Sequence, residues 1–188
     1  MLGNAFVHKN SDLNMIEGKY VNLRALEIED LEIHKKWRND KINRRHTREY
    51  RLLNMINQKE WFEFVSKDNP PKNIMFGVTS KQKKLIGVCG LTYIDWKNRH
   101  CEISIILYKT KWQSSKEAKE VISILTNYGF GELNMHRLWV EIFDTIPENM
   151  KLFESMNFQK EGIMREKLWR ERKWHDSVIY SKLVSHKI

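Results

Sequence analysis

Residues 109–130 read KTKWQSSKEAKEVISILTNYGF, and the stretch divides in two. From Lys109 to Ser115 it is polar and has no hydrophobic period. From there Ala118, Val121, Ile122, Leu125 and Tyr128 recur on one broad face, which predicts a helix over 115–130. A polar loop feeding a helix start is a place where proteins often hold a phosphate. The first amides of a helix have no partner within it, and the helix dipole favours negative charge there. The first glycine is Gly129, far inside the helix, so none in the loop eases the close approach of a ligand to the backbone.

The pattern continues outward on both sides. HCEISIILY (100–108) reads as a strand after the turn KNR, and IMFGVTS (74–80) with KLIGVCGLTYIDW (84–96) form a hairpin around KQKK. KYVNLRAL (19–26) alternates Val21, Leu23 and Ala25 with polar neighbours and predicts another strand. EIEDLEIHKKWRND places Leu31, Ile33, His34 and Trp37 near helical spacing, with early acids and late bases that suit the dipole. NMINQKEWFEFVSKD predicts a helix capped by Asn54 or Asn57, with Trp61, Phe62 and Val65 as its apolar side. HRLWVEIFD (136–144) is a strand, and Pro147 opens a helix carrying Met150, Leu152, Phe153 and Met156. FQKEGIMREKLW and KWHDSVIYSKL close the chain as two strands around the turn RER. Residues 1–18 are polar and read as a poorly ordered lead-in to a single domain over 19–188. The order β-α-α-β-β-β-α-β-α-β-β predicts an α/β fold, a mixed sheet of about seven strands with about four helices on its faces.

Composition bounds the function. Of 188 residues, 41% are hydrophobic and 30% charged, which excludes a disordered chain. No apolar run approaches the ~20 residues of a membrane span, and MLGNAFVHKNSDLN has no apolar core of a secretory signal. Cys89 and Cys101 lie in strand-like runs without metal-ligand spacing and read as buried thiols of a cytoplasmic protein. The net charge of +9 is scattered among acids, so it permits an anionic ligand without pointing to nucleic acid or membrane. No metal site or Ser/His/Asp triad is visible.

Several phrases, in this order, resemble the GNAT superfamily of acetyl-coenzyme A-dependent N-acetyltransferases. They are Trp37-Arg38-Asn39-Asp40, Ile86-Gly87-Val88-Cys89-Gly90-Leu91, Glu102-Ile103-Ser104-Ile105, Asn134-Met135-His136-Arg137-Leu138, Phe158 with Glu161-Gly162, and Trp174-His175-Asp176. The closer resemblance is to the branch of ribosomal-protein N-terminal and amino-sugar N-acetyltransferases. It implies acetyl-CoA as co-substrate, no metal, and a small-molecule or peptide amine as acceptor, such as a nucleotide-linked amino sugar or a protein N-terminus. A homodimer stays open. The resemblance places the pantetheine arm at Ile105, Ile106 and Leu107. It places the pyrophosphate at Gln113, Ser114, Ser115, Lys116, Glu117 and Ala118, with backbone amides near Ile106 and Leu107 for the oxyanion. Lys116 stands where the family has glycine, Phe153 where many members have a tyrosine near the thioester sulfur, and Ile146 where an asparagine is usual. Tyr108, Tyr128 or a water are the replacements for the missing hydroxyl. Glu102 is the candidate base, with an ion pair to an arginine as the equal alternative. Arg38, Asn39 and Tyr93 are the acceptor-side candidates, and Arg44, Arg45, His46 and Trp96 weaker ones. Trp37 and Trp96 read as core. The competing reading is a GNAT-fold binding or regulatory protein that has lost catalysis.

Overall fold

The computed structural model describes residues 15–45, 47–108 and 115–184. Alternating apolar runs become the strands of one eight-stranded sheet: β1 (Met15–Glu17), β2 (Val21–Ala25), β3 (Ile74–Ser80), β4 (Leu85–Asp95), β5 (His100–Leu107), β6 (Arg137–Phe143), β7 (Gln159–Arg170) and β8 (Lys173–Leu183). Their spatial order is β1-β2-β3-β4-β5-β6-β8-β7. Every neighbouring pair is antiparallel except β5 with β6. The described helices are α1 (Leu31–Asn39), α2 (Lys41–Arg45), α3 (Met55–Lys67), α4 (Lys116–Asn127) and α5 (Pro147–Ser155). Two elements exceed the expectation. β1 lies at the end of the stretch read as an irregular lead-in, and α2 is a five-residue turn of helix. Neither is long enough to show a hydrophobic period.

Local chemistry explains the helix boundaries. Both asparagines named for α3 take part in its cap: Asn57 N donates to Asn54 Oδ1 (3.0 Å), and Asn54 N donates to Asn57 Oδ1 (3.2 Å). Ser115 caps α4, its Oγ accepting from Ala118 N at 3.1 Å. Past Asn127 the backbone widens into a π-helical turn, Tyr128–Glu132. A Cβ on Gly129 would stand 2.9 Å from the Leu138 side chain, so this glycine lets the helix end close onto β6.

Helices cover both faces of the sheet. α4 and α5 bury Val121, Ile122, Leu125 and Leu152 against Cys89, Leu91, Ile103 and Leu138 in the larger core. On the opposite face Trp37 of α1 with Trp61 and Phe62 of α3 packs on Val88 and Ile106. Each such side chain, fully buried, contributes roughly 1.5–3 kcal/mol. Trp37 is core, stacked on Tyr108 at 5.5 Å, and Trp96 is half-buried with its Nε1 donating to Pro71 O at 2.8 Å. Cys89 and Cys101 are buried free thiols; burial raises both, Cys101 to about 12. No helix among the described residues is long and apolar enough to cross a membrane.

Candidate active site

The one parallel contact in the sheet is short. β5 and β6 pair only at His100↔Arg137, Cys101↔Leu138 and Glu102↔Trp139. Beyond Glu102, β5 follows β4 as far as Leu107, while β6 follows β8 as far as Phe143. The two strands therefore splay, and a cavity of about 830 Å³ fills the gap. Glu102 to Ile106 and Val140 to Phe143 form its two strand walls. Arg38 and Trp61 line it from the α1–α3 face, Asn149 and Phe153 from α5 on the other, so the opening passes through the sheet.

Strand alternation fixes which amides meet this opening. Tyr108 N donates to Ile86 O at 2.9 Å, toward β4. With a period of two and no register shift in this part of the ladder, Ile106 N–H also points to β4. Ile105 and Leu107 turn their amides to the open side, while the Ile103 amide faces β6 at the last pair of the seam. Of the two amides expected to serve an oxyanion, only that of Leu107 faces the splay; Ile106 contributes its side chain to the cavity wall.

Three charged groups meet at the apex. Arg48 Nη1 and Nη2 donate to Glu102 Oε2 (2.9 Å) and Oε1 (2.6 Å). Its Nε donates to Glu141 Oε2 at 2.8 Å, and its Nη2 reaches the same oxygen. The carboxylate side chains are 6% and 5% exposed. Burial works against the Arg48 charge, but the hydrogen bonds and charges of Glu102 and Glu141 outweigh it and raise the guanidinium pKa. Arg48 also lies over Tyr93, 5.6 Å from the ring centre. Its segment is fixed by Arg170, whose Nη2 donates to the carbonyls of Thr47 (2.9 Å) and Glu49 (3.1 Å). Glu102 is therefore in an ion pair with Arg48, and that pair lies in the cavity.

The other expected residues separate clearly. Arg38 lines the cavity and lies over Trp61 at 5.9 Å. Tyr93 lines it too, in a left-handed conformation (φ 50°) and exposed. Asn39 does not: its Nδ2 donates to Leu53 O and its Oδ1 accepts from Leu53 N, both at 2.8 Å, so it holds the chain ahead of α3 in place. Phe153 lines the cavity and packs edge-on against Phe158 at 5.2 Å. Neither tyrosine named as a replacement for the missing hydroxyl lines the cavity. Tyr108 stacks on Trp37, and Tyr128 packs edge-on against Phe76. Ile105 and Ile106 line the cavity, whereas Leu107 is core. At the start of α4, Ser115 is the cap, Glu117 lies in the first turn, Ala118 is buried, and Lys116 Nζ lies over the Tyr20 ring at 5.5 Å. Arg45 pairs with Glu171 at 2.8 Å. Gln113, Ser114 and His46 lie outside the described residues.

Sequence reasoning missed Arg48, Glu141 and Asn149. Glu141 carries the signal that singled out Glu102, a carboxylate between two apolar strand residues, Val140 and Ile142. His34, also in the lining, is 2% exposed; burial first and the Arg38 charge second push its pKa down to about 3, so it is a neutral imidazole. His175 Nδ1 meets Asp144 Oδ1 at 2.9 Å, and neither residue lines the cavity.

Comparison with known proteins follows the same lines. Residues 23–179 match the family model described as acetyltransferase (GNAT) domain. The chain is 28% identical over 173 residues to the uncharacterized N-acetyltransferase YoaA of Bacillus subtilis, covering 89% of this chain and 95% of that one. It is 31% identical over 87 residues to the spermidine N(1)-acetyltransferase of Vibrio cholerae, 46% of this chain and 50% of the relative. The crystal structure of a Vibrio cholerae spermidine N-acetyltransferase in complex with CoA and spermine superposes with a TM-score of 0.80 at 26% identity, covering 87% of this chain and 95% of the other.

Proposed function

The chain belongs to the GNAT acetyltransferase family and is an acyltransferase acting on an amine, and from that membership we propose how the splayed cavity carries the transfer. Acetyl-CoA is the co-substrate. Its pantetheine arm lies along the open edge of β5, pairing with the backbone of Ile105 and Leu107 as a peptide adds to a sheet edge. Its pyrophosphate sits at the start of α4, on the segment from Gln113 to Ala118, where Lys116 adds positive charge. The acetyl group then reaches into the splay, where the open-edge amides of β5 face the developing oxyanion. The amine enters from the α1–α3 side past Arg38, Trp61 and Tyr93, and loses its proton beside Glu102 and Glu141. With Phe153 at the tyrosine position, the thiolate leaves without a phenolic acid. Thiol pKa values of only ~8.5 make that a tolerable departure. The cytoplasm, where acetyl-CoA is made and used, is the setting this reading requires.

The observation that carries the reading is the three-pair seam that ends at Glu102↔Trp139 and opens onto the cavity. The test is calorimetric titration with acetyl-CoA, followed by thiol-release assays on spermidine, a nucleotide-linked amino sugar and a short peptide with a free N-terminus. Spermidine joins the two acceptors expected from sequence because a relative carries its name. Binding near micromolar affinity, weakened by Lys116→Glu, with thiol release on at least one amine, is the expected result. No heat at high acetyl-CoA concentration overturns the reading.

A further inference from the structure

We propose that Glu141, through Oε1, receives the ammonium group of the acceptor and takes its proton, with Glu102 and Arg48 as positioning residues. The inference rests on the cavity being the acyl-transfer site proposed above. Both oxygens of Glu102 are held by the guanidinium fork of Arg48. Glu141 is held through Oε2 alone. Its Oε1 is buried and has no hydrogen-bond partner among the described residues, although the side chain lines the cavity and is only 5% exposed. A buried carboxylate oxygen left bare is costly unless something donates to it.

Charge points to the donor. Two buried carboxylates against one guanidinium leave the apex with one negative charge in excess, and a cation balances it. The other acids of the lining are already engaged: Glu49 by Arg51 (2.9 Å), which holds its pKa near 2, and Asp95 by the Asn98 amide (2.8 Å). Arg48 is the donor that meets Glu141 among the described residues; Arg38 and Lys72 line the cavity without such a bond. Asn149 Oδ1, also buried and without a partner among the described residues, lines the same cavity and supplies a second acceptor for an N–H. Position agrees as well. Glu141 lies two residues past the last seam pair, on the face that Glu102 occupies, opposite the open edge of β5.

The step balances as follows. One N–H bond of the ammonium breaks and its proton moves to Glu141 Oε1, later to leave for solvent. The freed lone pair forms the C–N bond as the C–S bond breaks. The second proton lost by nitrogen ends on the coenzyme A sulfur.

The test uses the full chain labelled with 13C at the glutamate carboxyls, with Glu141→Gln and Glu102→Gln for assignment, titrated with butylammonium chloride. The expected result is a saturable shift of the Glu141 signal larger than that of Glu102. A shift confined to Glu102, or none, overturns the inference. In thiol-release kinetics Glu141→Gln lowers kcat about 100-fold or more, as expected for loss of a general base, and Glu141→Asp restores part of it. Glu102→Gln acts mainly on KM. The reverse pattern overturns the assignment. Turnover with a silent Glu141 signal defeats this inference alone, and a shifted Glu141 signal without acetyl-CoA binding defeats the acyl-transfer reading and leaves an ammonium site.

Discussion

Replacing Arg48 by methionine keeps the aliphatic stem of the side chain and removes the charge that joins two strands. The carboxylates it leaves are 6% and 5% exposed, so water compensates them poorly. Removing one partner of a buried ion pair costs about 3–5 kcal/mol. Here two carboxylates lose the same partner, which raises the penalty, but Arg48 itself is 42% exposed, which lets water into the space it vacates and lowers it. We expect a net loss of roughly 3 kcal/mol in unfolding free energy, read from urea denaturation at pH 7. The decisive comparison is the triple variant Arg48→Met, Glu102→Gln, Glu141→Gln. If stranded charge is the cause, neutral amides of the same shape recover at least half of the loss. A single-variant loss below about 1 kcal/mol, the level of an exposed pair, refutes the argument. So does a triple variant no more stable than the single one, because the cost would then be packing.

His34 should make the protein acid-sensitive. Its folded pKa of about 3 lies below the ordinary 6.5, so the folded state binds fewer protons and its stability falls as pH drops from 6.5 toward 3. At about 1.4 kcal/mol per pH unit, as much as about 3 kcal/mol disappears by pH 4; in His34→Gln that slope is absent, and a parallel slope in both proteins would refute it. In Gly87→Ala the new Cβ would stand 2.6 Å from the Ile106 carbonyl and against Leu107, pushing β5 away from β4. Expected are a loss of roughly 1–3 kcal/mol and weaker acetyl-CoA binding; unchanged affinity by calorimetry would remove β5 from the binding wall. Phe153→Tyr restores a hydroxyl to the cavity wall, and we expect kcat to rise about tenfold, below the full range of an acid catalyst, in the thiol-release assay. An unchanged kcat would mean that thiolate departure does not limit the rate.

Much of the fold can be read from hydrophobic patterning, because β2 alternates, the central β4 is a near-continuous apolar run covered on both faces, and α1 and α4 are amphipathic. β3 lies over the residues expected of it, and α4 begins where the polar loop gives way to the apolar stripe. The site is less legible. Glu102 stands out because a carboxylate between two apolar strand residues calls for a partner, and Glu141 obeys the same rule. Arg48 gives no such sign. It lies in the irregular stretch before α3 and meets carboxylates 54 and 93 residues away. Which strand pair comes apart is likewise a matter of tertiary register, and no local pattern encodes where β5 and β6 stop pairing.

That parting has a mechanical meaning. On either side of it the sheet is knitted by antiparallel ladders, β1 to β5 and β6 to β8 with β7. The three-residue seam joins them like the closed end of a zip. Widening the mouth therefore takes few hydrogen bonds from either ladder, and the work of opening concentrates at the bottom of the slot. Arg48 sits there as the stop, one hand on each side, so the charge that gathers the chemistry also sets how far the sheet can unzip.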